Sequence, residues 1–316
     1  IVDRQALKES ICNTITKTSS SEIEIPIVDI LPQEELESLV DKITLRSSFS
    51  TSYATSSNDR KSNVKLALSK FNGLIVEPGE EVSFNNITGE RTIENGYRNA
   101  KIIVGGKYVN GIGGGVCQAS TTLYNAIIRS DIEVLQVNHH TLPASYVPLS
   151  FDAMVSEGYA DLKFKNNLST PIFIKTICDN STATVEIYGE PFEDGVSIQT
   201  KAELVKVLPH GGDDIIKDYK GEYEDKVLYR GEYYRLKYPQ EGYESKGYVE
   251  YVKNGEVVSK KEIRHDKYLP QNGIIVEGCS SMEDGMNLPN NTVRYISPQK
   301  VNSETEKNAK AKWKID

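Results

Sequence analysis

Cys117 ends a glycine-rich run, Gly111-Ile112-Gly113-Gly114-Gly115-Val116-Cys117, and a stretch with helical character follows it from Gln118 to Arg129. A cysteine at a helix N-terminus meets the positive end of the helix dipole and several unpaired backbone N–H groups. Both favour thiolate over thiol, and thiolate is the nucleophile. Glycines let a substrate backbone come close and let N–H groups face a developing oxyanion. His139 and His140 follow in Val137-Asn138-His139-His140-Thr141-Leu142-Pro143. A cysteine nucleophile needs a nearby base, and histidine is the usual one. These residue types point to Cys–His acyl transfer. Two plainer readings compete: a lone cysteine is most often a small buried hydrophobe, and a glycine-rich stretch before a helix is often only a tight turn. A phosphate cradle fits poorly, because Val116-Cys117 stands where a phosphate loop needs Lys followed by Ser or Thr.

Composition narrows the classes. The chain has 316 residues, room for more than one domain, with 38% hydrophobic and 26% charged residues, as in globular proteins. A net charge of −8 argues against nucleic acid as a partner. No apolar run is long enough to span a bilayer. The chain opens at Ile1, so we expect an excised or mature fragment, with membrane contact only through an upstream anchor. Cys12, Cys117, Cys178 and Cys279 are too dispersed for a zinc knuckle or a Cys-x-x-Cys pair. The four histidines form no multi-His site, since His210 and His265 lie far downstream. No metal or cofactor is expected.

The elements that must position the cysteine and histidines can be read from periodicity. Residues 1–45 look like the remnant of an upstream module, with a helix over Val2–Ile15, a strand over Glu22–Ile30 and a short helix over Pro32–Ile43. Residues 46–190 form the densest segment. It holds a helix over Arg60–Leu74 capped by Asn72-Gly73, and strands at Leu74–Val76 and Glu81–Phe84. A hairpin around Gly105-Gly106, the helix after Cys117, and a strand over Glu133–Val137 leading to the histidines follow. Further strands are expected at Asp161–Lys165, Pro171–Ile177 and Thr182–Tyr188. This predicts an α+β catalytic domain with an antiparallel sheet.

Residues 191–278 are rich in tyrosine and read as a small, elongated all-β domain, with strands at Asp225–Tyr229, Gly231–Tyr238, Gly247–Lys253 and Glu256–Arg264. Asn254-Gly255 between two alternating runs is a strong hairpin signal. Tyrosine faces can stack on sugars, but they also cover thin sheets, and no residue here stands out as a site. Residues 279–316 read as an extended or disordered tail with a solvated basic end.

From about Ser47 to Tyr188 the chain resembles the VanW family. The resemblance rests on ordered blocks: Phe49-Ser50-Thr51-Ser52, Pro78-Gly79-Glu80-Glu81-Val82-Ser83-Phe84-Asn85, Glu94-Asn95-Gly96-Tyr97, the run from Gly113 to Ala126, and His140-Thr141-Leu142-Pro143-Ala144-Ser145-Tyr146-Val147-Pro148. Residues 1–40 resemble the end of a peptidoglycan-binding module, and 200–278 resemble a G-five domain, linked to N-acetylglucosamine. In two places the chain departs from the family pattern: Gln136-Val137 stands near a usual Glu-Arg, and Ser150-Phe151 where a Gly is common.

The resemblance implies a peptidoglycan L,D-transpeptidase that forms 3-3 cross-links, outside the membrane in a Gram-positive cell wall. Cys117 would be the nucleophile, acting on the third residue of a tetrapeptide stem, which is meso-diaminopimelate in a clostridial wall. The resemblance selects His140 over His139 as base. Asp152, in Asp152-Ala153-Met154-Val155, would orient the imidazole or cap a turn. Backbone N–H groups of Val116, Cys117 or Gln118 would hold the oxyanion. Gly114, Gly115, Ser120, Thr121, Tyr124 and His139 are further candidates for donor contacts, although Ser120–Thr122 have helix back-bonding as an alternative role and Tyr124 a place in the core. The implied partners are stem peptides and glycan. A non-catalytic wall-binding scaffold, an L,D-carboxypeptidase and a cysteine amidase remain as alternatives.

Overall fold

In the computed structural model, residues 42–315 are described, apart from 105–106, 284–285 and 289–292. The expected helices and strand of residues 1–41, and Cys12, lie outside the described residues. Mostly antiparallel sheets with few helices make up the fold.

The first elements are β1 (Thr44–Ser52), α1 (Asn58–Ser69), β2 (Leu74–Val76), β3 (Glu81–Ser83) and the short α2 (Phe84–Thr88). Ser57 caps α1, its hydroxyl accepting from Arg60 N at 3.3 Å, as serine does where the first N–H groups lack partners. The hairpin β4 (Asn99–Val104) and β5 (Lys107–Ile112) leads into α3 (Val116–Arg129). Then come β6 (Glu133–Gln136), β7 (Lys163–Lys165), β8 (Ile172–Cys178) and β9 (Thr182–Gly189). Strands β1, β9, β8 and β2 form one sheet in that order, and β3, β7 and β6 another.

Beyond 190, β10 (Val196–Leu208), β13 (Gly242–Lys253) and β14 (Glu256–Tyr268) form a three-stranded antiparallel sheet with β13 central. Its hairpin turns at Asn254-Gly255, with φ of 53° and 86°, the backbone that a two-residue type I′ turn requires. Strands β11 (Asp213–Lys217), β15 (Gly273–Glu277) and β12 (Tyr233–Lys237) make a second sheet, in which β11 runs parallel to β15. The strand expected over Asp225–Tyr229 is absent as such; Tyr229 makes only an isolated bridge to Ser280.

The expected extended tail instead holds α4 (Ser303–Trp313). Asn302 and Thr305 form a capping box, Glu304 and Glu306 lie in the first turn, and Lys310 and Lys312 in the last. These charges complement the helix dipole. Ala309, Trp313 and Ile315 bury against the same core as Tyr243. The low apolar content of residues 279–316 concealed this helix, because three buried side chains suffice to dock it.

From Leu45 to Asp316 the chain clusters as one unit. One hydrophobic cluster takes in α1, α3, Phe151, β9 and Val249, Tyr243 and Tyr268 of the C-terminal strands. Helix α3 is its axis. Every α3 residue is buried except Cys117 and Arg129, which are half-buried.

Candidate active site

The loop before α3 is shaped by glycine backbones. Gly115, its N-cap, has φ 110° in the left-handed region. A side chain there would meet the Arg60 carbonyl oxygen at 3.0 Å. Gly114 passes so near β4 that a Cβ would lie 2.7 Å from the Lys101 carbonyl oxygen. The path of the loop itself therefore demands these glycines.

This turn delivers Cys117 as the second residue of α3. Val116 N donates to Gly113 O at 3.1 Å, and Gln118 N donates to Gly115 O at 2.8 Å. The expectation that Val116 or Gln118 supplies an oxyanion donor is thereby corrected. Among the described residues, the Cys117 N–H has no such partner.

The Cys117 thiol donates to Val155 O at 3.3 Å and lies close enough to the His140 imidazole for the two groups to shift each other's titration. His140 Nδ1 and its backbone N–H both donate to Asp152 Oδ2, each at 2.6 Å. Burial opposes the Cys117 thiolate, but the neighbouring His140, with help from Arg91, holds its pKa below the ordinary thiol value. Burial likewise opposes the imidazolium, yet the bond to Asp152 and the neighbouring Cys117 push His140 up to about 10. Burial would raise Asp152, but His140, Arg264 and Tyr268 hold it down at about 2. Opposite shifts on two neighbouring groups favour a thiolate–imidazolium pair backed by a carboxylate.

The polar face of α3 is buried, so each group must find a partner. Ser120 Oγ donates to Ala153 O at 2.6 Å, and Ala153 N donates to Thr121 Oγ1 at 2.9 Å. Asn125 Nδ2 donates to Phe151 O at 2.7 Å. These bonds clamp the chain on both sides of Asp152. Thr122 back-bonds to Gln118 O at 2.7 Å, and the Gln118 amide ties α3 to Thr51, Ser52 and Arg60. Tyr124 is buried beneath the Arg264 guanidinium. Ser120, Thr121 and Tyr124 are thus buried, which corrects their expected place in a donor site, whereas Gln118 borders the cavity described next. His139 bonds the His140 carbonyl through Nδ1 at 2.8 Å and packs edge-on against Tyr268. It does not reach Cys117 as base.

A cavity of about 480 Å³ opens beside Gln118 and Tyr146. Arg60, Lys312 and Lys314 line it with seryl, threonyl and tyrosyl hydroxyls, and no carboxylate among the described residues does. Arg91 is largely buried near Cys117, held by Asn85 and Glu157. Sequence reasoning missed Arg60, Arg91, Arg264 and Tyr268. Arg264 and Tyr268 follow Asp152 by more than a hundred residues, and no local pattern marks them. Among the described residues no group of His, Cys, Asp and Glu is arranged to hold a metal, and no helix is long and apolar enough to cross a membrane.

Such a Cys–His–Asp constellation defines a thiol-centred site, and comparison supplies the family. Residues 59–188 match the family described as VanW like protein, and this stretch is a VanW-family domain. The uncharacterized protein YoaR of Bacillus subtilis is 35% identical over 186 residues, 58% of this chain and 61% of that protein. The vancomycin B-type resistance protein VanW of Enterococcus faecalis is 27% identical over 167 residues, 51% of this chain and 58% of that protein. The chain thus spans about three-fifths of the length of these relatives. Two solved G5 domains, of HP0197 and of IgA1 protease, align with 26% and 28% of this chain at 24% and 13% identity. Their TM-scores are 0.14 and 0.18.

Proposed function

We propose that this protein is a peptidoglycan L,D-transpeptidase acting through a Cys117 thioester. The observation that carries the reading is His140, tied through Nδ1 to Asp152 and set beside the Cys117 thiol. In this reading residues 46–190 are an α+β catalytic domain and 191–278 a G-five-like all-β domain. The protein works outside the cell at the wall, on stem peptides and glycan; a relative named for vancomycin resistance supports a wall-related role.

The Cys117 thiolate attacks the carbonyl carbon of the third stem residue. The Cys117 N–H holds the oxyanion, and one such donor is typically worth about 3–4 kcal/mol. The C–N bond to D-Ala breaks, and His140 imidazolium gives its proton to the departing amine. The side-chain amine of a second stem then attacks the thioester. The C–S bond breaks, an amide forms, and the amine's proton passes to His140, which restores the ion pair. Arg60, Lys312 and Lys314 suit the carboxylates of such stems.

The test is incubation with purified disaccharide-tetrapeptides, read by mass spectrometry, with wild type and Cys117→Ala. A dimer short of one D-Ala, absent with the variant, is expected. Loss of D-Ala without dimer would make the enzyme an L,D-carboxypeptidase. No turnover from a folded chain whose thiol also resists electrophiles would favour a wall-binding scaffold.

A further inference from the structure

The VanW match ends at residue 188, yet the site does not. Asp152 is 1% exposed, and His140 occupies only Oδ2. The other oxygen, Oδ1, accepts from the Tyr268 hydroxyl at 2.6 Å and faces Arg264 Nη2 at 3.9 Å. Both residues belong to β14. Arg264 also donates to the Asp152 carbonyl and pairs with Asp266 at 2.8 Å. The Tyr268 oxygen accepts from Ser150 N at 3.0 Å, and Ser150 Oγ meets Ser245 Oγ of β13 at 2.8 Å.

A purely structural role would be adhesion between the C-terminal sheet and α3. Buried ion pairs are weak devices for adhesion, because desolvation offsets most of the attraction. Here the hydroxyl is committed to, and the guanidinium turned toward, the one carboxylate oxygen that His140 leaves open. The same strand supports the main chain on both sides of Asp152. We propose that Tyr268 and Arg264 are positioning residues: from β14 they fix the Asp152 carboxylate in the orientation that presents His140 to Cys117. This inference rests on the reading of Cys117 as nucleophile.

The charged and titratable groups facing the centre are few. Around Asp152 stand His140, Arg264, Tyr268, Asp266 and Tyr124; around Cys117 stand His140, Arg91 and Tyr146. Without the Tyr268 hydroxyl, the carboxylate loses the bond that fixes its rotation. Without the Arg264 charge, Asp152 and Asp266 are left buried with no cation between them. A carboxylate so placed takes up a proton, and a neutral one cannot sustain an imidazolium.

The test is the pH profile of Cys117 alkylation by iodoacetamide in the full chain, read by peptide mass spectrometry with Cys178 as internal reference. Wild-type Cys117 is expected to titrate below an ordinary thiol. Tyr268→Phe should slow Cys117 alkylation at pH 7 by roughly tenfold, the scale of one charge-assisted hydrogen bond, and move the midpoint upward. Arg264→Met should do more, and Arg264→Lys should recover part of the loss. Identical midpoints in wild type and Tyr268→Phe would overturn the proposal, whatever happens to thermal stability. If Arg264→Met fails to fold, Tyr268→Phe decides alone. An ordinary titration in wild type would instead sink the reading of Cys117 as nucleophile, and the positioning role with it.

Discussion

Asp152 and His140 are displaced from their ordinary pKa values in opposite directions, and the signs carry separate consequences. Asp152, held at about 2 against about 3.9 in an unfolded chain, adds stability that is complete above the unfolded value. That contribution is lost as pH falls through about 2. His140, raised to about 10 from about 6.5, adds stability that is complete below the unfolded value and is lost as pH rises through about 10. Both contributions are whole only between roughly pH 4 and 6.5. The melting temperature of His140→Gln should therefore fall furthest below wild type in that window and approach it in alkali, as calorimetry across pH would record. Asp152→Asn keeps the shape of the side chain but cannot stabilise an imidazolium. Its turnover of stem peptides should drop on the order of 10³- to 10⁴-fold with the fold retained. Preserved turnover would remove Asp152 from the mechanism.

At the scale of elements, the segment from α1 to β9 was largely legible and the C-terminal strands less so. Periodicity gave α3, β8 and β9 nearly to their ends, because each buries a regular set of apolar residues, whereas α1 stops at Ser69 with Lys70 as its cap, short of the expected Asn72-Gly73. Asn254-Gly255 announced its hairpin, since only that turn suits both residues. The long β10 and the short β15 escaped notice for opposite reasons. Strand β10 alternates clearly from Val196 to Leu204 and was passed over despite that signal, while Ile274-Ile275-Val276 is too short to separate from a loop. In the site, Cys117 and the pair His139-His140 stood out by residue type, and the resemblance rather than local chemistry singled out His140. The N-terminal turn of α3 supplies a further test. In Gly115→Ala, strain at φ 110° adds to contact with Arg60, and we expect a loss of about 1–3 kcal/mol. Chemical denaturation would measure it, and Cys117 alkylation should slow in parallel as the helix end shifts.

Across the whole molecule, the last helix closes on the first strands. Trp313 is buried edge-on against Tyr243 and lines the cationic cavity together with residues of β1. Trp313→Ala should therefore cost about 3–5 kcal/mol of stability. It should also weaken turnover of stem peptides through a higher KM rather than a lower kcat, because Lys312 and Lys314 lose their setting while Cys117 keeps its own. Unchanged thermal unfolding would mean that α4 does not dock in solution.

The reach of β14 to Asp152 also has a meaning in time. Arg264 lies 112 residues beyond Asp152, whose carbonyl it bonds and whose carboxylate it faces. A ribosome must complete that stretch before the carboxylate can be fixed. Under the proposed positioning role, a growing chain therefore carries its cysteine as an ordinary thiol, and reactivity arrives only after the sheet has closed, which would spare the unfinished protein premature acylation or oxidation. Stalled nascent chains ending before residue 256 should accordingly show slow Cys117 alkylation, and chains released at full length the fast reaction.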